Sequence, residues 1–210
     1  MTPVRPVLGG PVRSEIVVDR SRFVCDLRAV ADEGAAADAL SGIHREFHDA
    51  RHHCSALVLG AHGEVVRSSD DGEPSGTAGA PMLSTLTGSG LTDVLAVVTR
   101  WFGGILLGSG GLVRAYSAAV GAALEEAVVV ARHEVRLFAL EASPAAGGRV
   151  ESLLRNRFGD RAVEDTRWGA QGWSATLALP VEGPGVEALT EPPFGTSITA
   201  TELGTAVRPR

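Results

Sequence analysis

The chain has 210 residues, of which 44% are apolar, and a formal net charge of −6. This length permits one large domain or two small ones with a real core, and the composition excludes a disordered chain. An acidic chain is poorly suited to bulk nucleic-acid binding, which usually needs a basic excess. Cys25 and Cys54 form no CxxC motif, and no stretch resembles a signal peptide or a membrane span. We therefore expect a cytoplasmic protein that does not enter a membrane.

Hydrophobic periodicity in the first part of the chain predicts both strands and helices. The predicted elements are strands near Ser14–Val18 and Arg22–Arg28 with a turn at Ser21-Arg22, a helix over Asp32–Phe47, a hairpin of Cys54–Leu59 and Glu64–Ser68, a short helix from Pro81 to Gly88, a strand over Leu91–Trp101 and a helix over Gly111–Ala127. The apolar run in Leu91–Trp101 is typical of a strand buried on both faces. We expect this strand near the centre of a sheet that carries helices on one face.

The second part of the chain predicts a separate α+β domain. Its predicted elements are a strand over Val135–Ala142, a helix over Ala145–Arg157, strands over Ala162–Trp168 and Trp173–Leu179, a short helix over Val181–Thr190 and a last strand over Ser197–Leu203. This βαββαβ order is that of the ferredoxin-like split βαβ unit. The domain boundaries are therefore predicted at 1–131 and 132–210.

Two glycine-rich stretches, Asp70–Pro81 and Thr99–Val120, carry the candidate site. Glycine at this density is kept where the backbone needs a positive φ or where another molecule approaches closely. We expect the two stretches to meet in space and to form one ligand- or phosphate-binding surface. The candidate residues are Asp70, Asp71, Glu73, Ser75, Thr77, Arg100, Gly103, Gly104, Gly108, Gly110, Gly111 and Arg114.

Each half of this surface also has a structural interpretation. The glycines before the long helix, with Arg100 and Arg114, suit an anion at a helix start, or they serve only tight packing. The carboxylates of the first stretch suit Mg²⁺ or acid–base chemistry, or they form turns while Ser75 or Thr77 caps the next helix. If the stretches meet, their carboxylates and arginines can instead form a structural salt bridge. Nucleotide motifs such as GxxxxGK[ST] and GxGxxG are absent from the sequence.

Histidine and cysteine offer two weaker candidates. His44, His48 and His52 are spaced by four residues, which suits zinc only if one helix continues through all three. Cys54 beside His53 suits an activated nucleophile, but neighbours along a strand point to opposite faces, so a core cysteine is the alternative. We expect no catalytic residues, no metal and no cofactor.

Long strings of the chain resemble the YigZ/IMPACT family. They are DDGEPSGTAGAPML and VLAVVTRWFGGILLGSGGLVRAYSAA, supported by Glu15, Ser21-Arg22-Phe23 and His53-Cys54. The resemblance extends over essentially the whole chain. It implies a first domain like the fourth domain of elongation factor G and a second like the fifth. In the FGGxKLG segment the family commonly has Lys, where this chain has Leu106.

The resemblance also implies a function. It indicates a non-catalytic regulator of translation that binds the ribosome, RNA or a translation-associated protein, with no DNA specificity and no membrane partner. Two alternatives stay open. The carboxylates and helix-start glycines suit an enzyme acting on a small phosphorylated or nucleotide substrate, and the acidic charge suits a protein–protein adaptor.

Overall fold

The computed structural model describes residues 4–185, 187–190, 194 and 198–209. The chain forms two units with a mixed α and β fold, Met1–Arg132 and His133–Arg210. Each unit has hydrophobic core clusters of its own. Among the described residues, no helix is long and apolar enough to cross a membrane.

The first unit is built on an antiparallel sheet. Its elements are β1 (Val7–Leu8), β2 (Val12–Val18), β3 (Ser21–Ala29), α1 (Glu33–Glu46), β4 (His52–Leu59), β5 (Val65–Ser69), α2 (Gly79–Gly88), β6 (Val94–Trp101), α3 (Gly108–Glu125) and β7 (Val129–Val130). The five-stranded sheet has the order β2-β3-β6-β4-β5. The short strands β1 and β7 form a separate antiparallel pair, which their two-residue length hides from sequence periodicity.

Strand β6 lies in the middle of this sheet, which confirms the predicted central position of the apolar run. Its alternate residues belong to two different core clusters. Val94, Ala96 and Val98 pack with α2 and α3, whereas Leu95 and Val97 pack with α1. The prediction of helices on one face is therefore wrong for this unit. Because both faces of β6 are apolar, both need a helical cover.

The predicted turn at Ser21-Arg22 is also wrong. The hairpin between β2 and β3 turns at Asp19 and Arg20, both of which have positive φ, 45° and 63°. This is the backbone of the two-residue turns that match strand twist. Ser21 instead begins β3, is fully buried and accepts a hydrogen bond at Oγ from the N–H of Gly103.

The second unit carries a four-stranded sheet and a separate core. Its elements are β8 (Arg132–Ala142), α4 (Gly147–Phe158), a 3-10 turn (Asp160–Ala162), β9 (Val163–Gly169), β10 (Gly172–Pro180), α5 (Glu187–Thr190) and β11 (Thr199–Pro209). The strand order is β11-β8-β10-β9. Fully buried Phe138, Leu154 and Trp173 are among the residues of the core.

The largest differences between predicted and observed element boundaries in this unit lie in its last helix and last strand. The last strand is longer than predicted, since it continues to Pro209, while Ser197 at its predicted start lies outside the described residues. The short helix begins at Glu187, and Val186 within its predicted span also lies outside them.

Candidate functional site

The two glycine-rich stretches meet in the first unit, as predicted. Arg100 at the end of β6 donates from a terminal guanidinium nitrogen to Oε1 of Glu73 over 2.6 Å. The hydroxyl of Tyr116 on α3 donates to the same oxygen over 2.8 Å. The Arg100 and Glu73 side chains are only 7% and 3% exposed. A buried ion pair therefore joins the loop Asp70–Thr77, which we call the acidic loop, to β6 and α3.

This ion pair changes the interpretation of Arg100. The sequence places it among candidate phosphate contacts, which need an open cation. In the structure it is buried against Glu73, and its guanidinium lies 5.5 Å from the ring centroid of Phe23. Its Nε is buried and has no hydrogen-bond partner among the described residues. The main role of Arg100 is therefore structural, as the ionic partner of Glu73. Its Nε–H remains without an acceptor among the described residues.

Asp70 holds the start of α2 through its carboxylate. Oδ1 accepts from the backbone N–H groups of Ala78 and Gly79 at 3.0 and 2.8 Å, and Oδ2 accepts from the N–H of Gly76 at 2.8 Å. Burial alone would raise the pKa of Asp70, but these three donors hold it below its usual value. Asp70 thus acts as a helix cap from eight residues upstream.

The predicted capping residues do not occupy that role. Thr77 is buried, and its hydroxyl donates to the carbonyl of Pro74 over 2.6 Å. Ser75 is exposed, and the residue at the cap position, Ala78, has no side-chain hydrogen bond to offer. The capping group comes from Asp70 because the loop folds back over the helix start.

Asp71 ties the same loop to the start of β4. Its backbone has a positive φ of 39°, and its Oδ2 accepts from the N–H of His53 over 2.6 Å. Nδ1–H of His52 donates to the Asp71 carbonyl over 2.8 Å, since a carbonyl only accepts. Sequence reasoning missed His52 as part of this site. The available signal was the polar pair His52-His53 at the start of a strand whose other residues, apart from Ser55, are apolar.

The glycines of the second stretch fall into two groups. A Cβ on Gly103 would clash with the backbone of Arg20, so close packing requires glycine there. Gly104 and Gly108 have φ values of 86° and 67°, in the left-handed region. The structure thus gives these three glycines a backbone role.

Gly110 and Gly111 lie in the first turn of α3, where the helix has no side-chain cap. A Cβ on Gly110 would meet only a guanidinium nitrogen of Arg114, at 3.5 Å, so packing does not require glycine at that position. Arg114 itself is exposed and has no ion pair within the described chain. A Cβ on Gly111 would lie only 3.0 Å from Cβ of Leu107, so this glycine packs closely, whereas Gly110 and Arg114 leave the start of α3 open to an approaching group.

An open cavity of about 350 Å³ lies between the two stretches. Its lining residues are Arg51, His52, Glu73, Pro74, Arg100, Phe102, Leu106, Leu107, Gly108, Ser109 and Leu112. Apolar side chains beside it are unusually exposed, with Leu106 at 88% and Phe102 at 49%. The cavity therefore combines an apolar rim, free N–H groups of a helix start and a few cationic side chains.

The chemistry of Cys54 does not suit a nucleophile. Burial raises the pKa of its thiol to about 12, so the thiol stays protonated at neutral pH. Its Sγ lies 3.0 Å from the carbonyl oxygen of Asp70 and 3.4 Å from the Tyr116 hydroxyl. His53 points elsewhere, with its ring stacked on His44, and burial lowers the pKa of His53. Cys54 is a core cysteine.

The histidine triplet that sequence spacing offered as a weaker zinc candidate does not come together as one group. Helix α1 ends at Glu46, so His48 and His52 do not continue it. Among the described residues, the group that brings possible metal ligands together is His44, His53 and Asp71, whose ligand atoms lie within 4.8 Å of one another. His53 and Asp71 were not part of the zinc hypothesis drawn from sequence spacing.

The second unit has a wider groove of about 790 Å³, beside the exposed Trp168. It is lined by segments around Glu141–Ser143, Arg167–Ser174 and Ile198–Thr199. All the sequence-predicted site residues lie in the first unit, so the smaller cavity there is the candidate functional site.

A family model and individual relatives both match this chain, and they point to the same family. The family model described as the Impact N-terminal domain matches residues 19–124. The chain is 45% identical to the IMPACT family member YvyE of Bacillus subtilis (strain 168) over 67% of this chain and 65% of that protein. It is 40% identical to the IMPACT family member YigZ of Escherichia coli (strain K12) over 69% of this chain and 72% of that protein.

The crystal structure of a hypothetical protein also resembles this chain. The two sequences are 32% identical, and the structures align with a TM-score of 0.68. The match covers 95% of this chain and 97% of the other. This likeness supports the mixed α and β fold of both units.

Proposed function

Because the chain belongs to the IMPACT family, we propose that it is a non-catalytic regulator of translation that binds the ribosome, RNA or a translation-associated protein. The observation that carries this proposal is the exposed surface at the start of α3. We define the α3 start surface as Phe102, Ile105, Leu106, Val113 and Arg114, all of them exposed. Clustered exposed apolar side chains are typical of a surface that contacts another macromolecule.

We also propose finer fold assignments for the two units. The order β8-α4-β9-β10-α5-β11, with strands arranged β11-β8-β10-β9, supports a ferredoxin-like second unit. The likeness of the first unit to the fourth domain of elongation factor G rests on the family resemblance. Together these assignments favour a protein whose two domains resemble those of a translation factor and bind the ribosome in a similar way.

The charge of the chain favours a partner that is more than bare RNA. The net charge of −6 opposes a polyanion, and Arg114 is the cation within the α3 start surface. Leu106 adds apolar area at a position where the family commonly has Lys. A ribosomal site that presents protein together with RNA, or a translation-associated protein, fits this mixture best.

An enzyme acting on a small phosphorylated substrate is the second candidate, favoured by the cavity beside the start of α3. Its free N–H groups and the spare donors of Arg100 suit an anion. The polar groups that could act in catalysis are already engaged, because Glu73 accepts from Arg100 and Tyr116. The binding function is therefore preferred.

Co-sedimentation with purified ribosomal subunits across a range of salt concentrations tests the proposal. We expect association that Arg114→Ala weakens and that falls with salt. If phosphate contacts dominate, Leu106→Lys should strengthen binding and steepen its salt dependence. If apolar contact with a protein dominates, the same substitution should weaken binding. No association of the wild-type protein at low salt, with folding confirmed by circular dichroism, would reject ribosome binding.

A further inference from the structure

Side chains from α1, β4 and the acidic loop come together in a group that the proposed translation function does not use. His44 lies in the last turn of α1, His53 in β4, and Asp71 in the loop after β5. One nitrogen from each histidine and one carboxylate oxygen lie within 4.8 Å of one another. Two imidazoles and one carboxylate form a ligand set that zinc proteins use when a coordination position stays open.

The ring of His53 is oriented for metal binding. Its Nε2 lies 3.2 Å from the carbonyl oxygen of Phe47, which can only accept, so Nε2 carries the hydrogen. The lone pair is then on Nδ1, which lies 3.9 Å from Oδ2 of Asp71 and has no hydrogen-bond partner in the described chain. An imidazole that donates its other N–H to a backbone carbonyl is the usual arrangement around a bound metal.

The carboxylate of Asp71 is fixed on the opposite side of the same gap. The N–H of His53 holds its Oδ2, and His52 holds its carbonyl oxygen. A nitrogen lone pair and a carboxylate oxygen that face each other repel unless a cation lies between them. The positive φ of Asp71 is a further sign that the loop is held in a costly conformation at this point.

His44 is the ligand that must move. Its ring stacks on His53 with a centroid separation of 3.9 Å, whereas a shared ion must lie near the plane of each ring. His44 is exposed at the end of a helix, so its side chain can turn out of the stack on a fast timescale. The site therefore has two fixed ligands and one that closes on the ion.

We propose that His44, His53 and Asp71 bind a divalent transition-metal ion, for which Zn²⁺ is the best fit, with water at the remaining position. Two nitrogen ligands favour Zn²⁺ over Mg²⁺ and Ca²⁺, which prefer oxygen. The bound ion links α1 to the loop that carries Asp70 and Glu73. This inference stands independently of ribosome binding.

Isothermal titration calorimetry with Zn²⁺, on the full chain without a polyhistidine tag, tests the site. We expect one ion per chain, visible d–d absorption when Co²⁺ replaces Zn²⁺, and no competition from Mg²⁺. His44→Ala and Asp71→Asn should each weaken Zn²⁺ binding by at least about 10-fold, the loss usual even for residues that only support a ligand. Zn²⁺ should raise the thermal midpoint of the wild type and not that of His44→Ala.

His48→Ala is the matched control, because His48 is exposed near the same helix end but does not belong to the group. It should bind Zn²⁺ like the wild type. His44→Ala keeps the buried residues intact, so a lost signal with an unchanged circular dichroism spectrum reports on the ligand. The proposal is overturned if the wild type binds no stoichiometric ion, or if His44→Ala and His48→Ala bind equally well.

Discussion

Polar side chains of the acidic loop differ in their hydrogen-bond partners, so their replacement should change the free energy of unfolding by different amounts. Asp70 accepts three backbone N–H groups at the start of α2, whereas the neighbouring hydroxyl of Ser75 is exposed. Asp70→Asn leaves only one oxygen to accept these donors. We expect it to lower the free energy of unfolding by about 1–3 kcal/mol, measured by urea denaturation at neutral pH. Ser75→Ala should have almost no effect.

The cost of Asp70→Asn should depend on pH. The folded-state pKa of Asp70 is lowered, so its contribution to stability is present above its unfolded pKa and is lost as pH falls through the folded value. The difference between wild type and variant should therefore be largest above about pH 4 and shrink below it. A difference that stays constant down to pH 2 would contradict a charge-dependent cap.

Replacement of Arg100 should destabilise the fold, whereas replacement of Arg114 should leave stability almost unchanged. Arg100→Ala leaves the buried Glu73 carboxylate without its ionic partner, and we expect a loss of about 3–5 kcal/mol in the free energy of unfolding. The exposed Arg114 should be replaceable by Ala within about 0.5 kcal/mol. Both values come from the same denaturation experiment. Equal effects of the two substitutions would mean that the ion pair does not stabilise this unit.

The thiols should be inert in the folded protein. Cys25 and Cys54 are both fully buried, and burial raises the pKa of each thiol. We expect a thiol-reactive reagent such as Ellman's reagent to react slowly at pH 8 in buffer and to label both cysteines quickly in denaturant. Rapid labelling of one thiol in native protein would restore Cys54 as a candidate nucleophile.

The α3 start and the loop before it show how two glycines of one stretch differ. Gly103 packs against the backbone of Arg20, so Gly103→Ala forces the hairpin turn to move. We expect a destabilisation of about 1–3 kcal/mol, the usual cost of overpacking. Gly110→Ala has room for its methyl group and a helical backbone, so it should stabilise the protein by up to about 1 kcal/mol. Thermal or urea unfolding of both variants checks the pair.

Gly110→Ala also tests whether a partner contacts the backbone at the start of α3. If a partner approaches the backbone at the α3 start, Gly110→Ala should weaken its binding even though the protein becomes more stable. If glycine is needed at position 110 for packing instead, Gly110→Ala should lower stability and leave binding unchanged. The two measurements together distinguish a contact from a packing constraint.

Elements with strong periodicity were predictable from sequence, and contacts between distant segments were not. The apolar run of β6 predicted a strand with two buried faces, but not that α1 would cover the second face. Asp70 caps a helix that starts nine residues later, whereas local capping rules look only two or three residues ahead. The meeting of the two glycine stretches was predictable because each carried costly residues that one site explains.

The histidine group illustrates the same limit. Spacing along the chain pointed to His44, His48 and His52, because sequence rules count residues within one helix. The fold instead brings His44 on α1 beside His53 on β4 and Asp71 in a loop. The turn at Asp19 and Arg20 was missed for a related reason, since strand pairing, rather than composition, fixes where the hairpin reverses.

The chain as a whole is acidic, and it presents an exposed apolar surface at the start of α3. Net charge opposes unspecific RNA binding, so the surface has to supply specificity through shape and apolar contact. Leu106 is the most exposed of the large apolar residues described, at 88%. It is therefore the residue at which a negative charge should weaken binding most and disturb folding least, because an acidic group opposes both apolar and phosphate contacts.

Co-sedimentation of Leu106→Asp with ribosomal subunits at physiological salt tests whether the α3 start surface contacts the ribosome. Leu203→Asp is the matched control, because Leu203 is also exposed, at 58%, but lies in the second unit. We expect Leu106→Asp to lose most of the association while Leu203→Asp and the wild type bind alike, with all three folded to the same extent. Equal association of the two variants would contradict a role for the α3 start surface in translation.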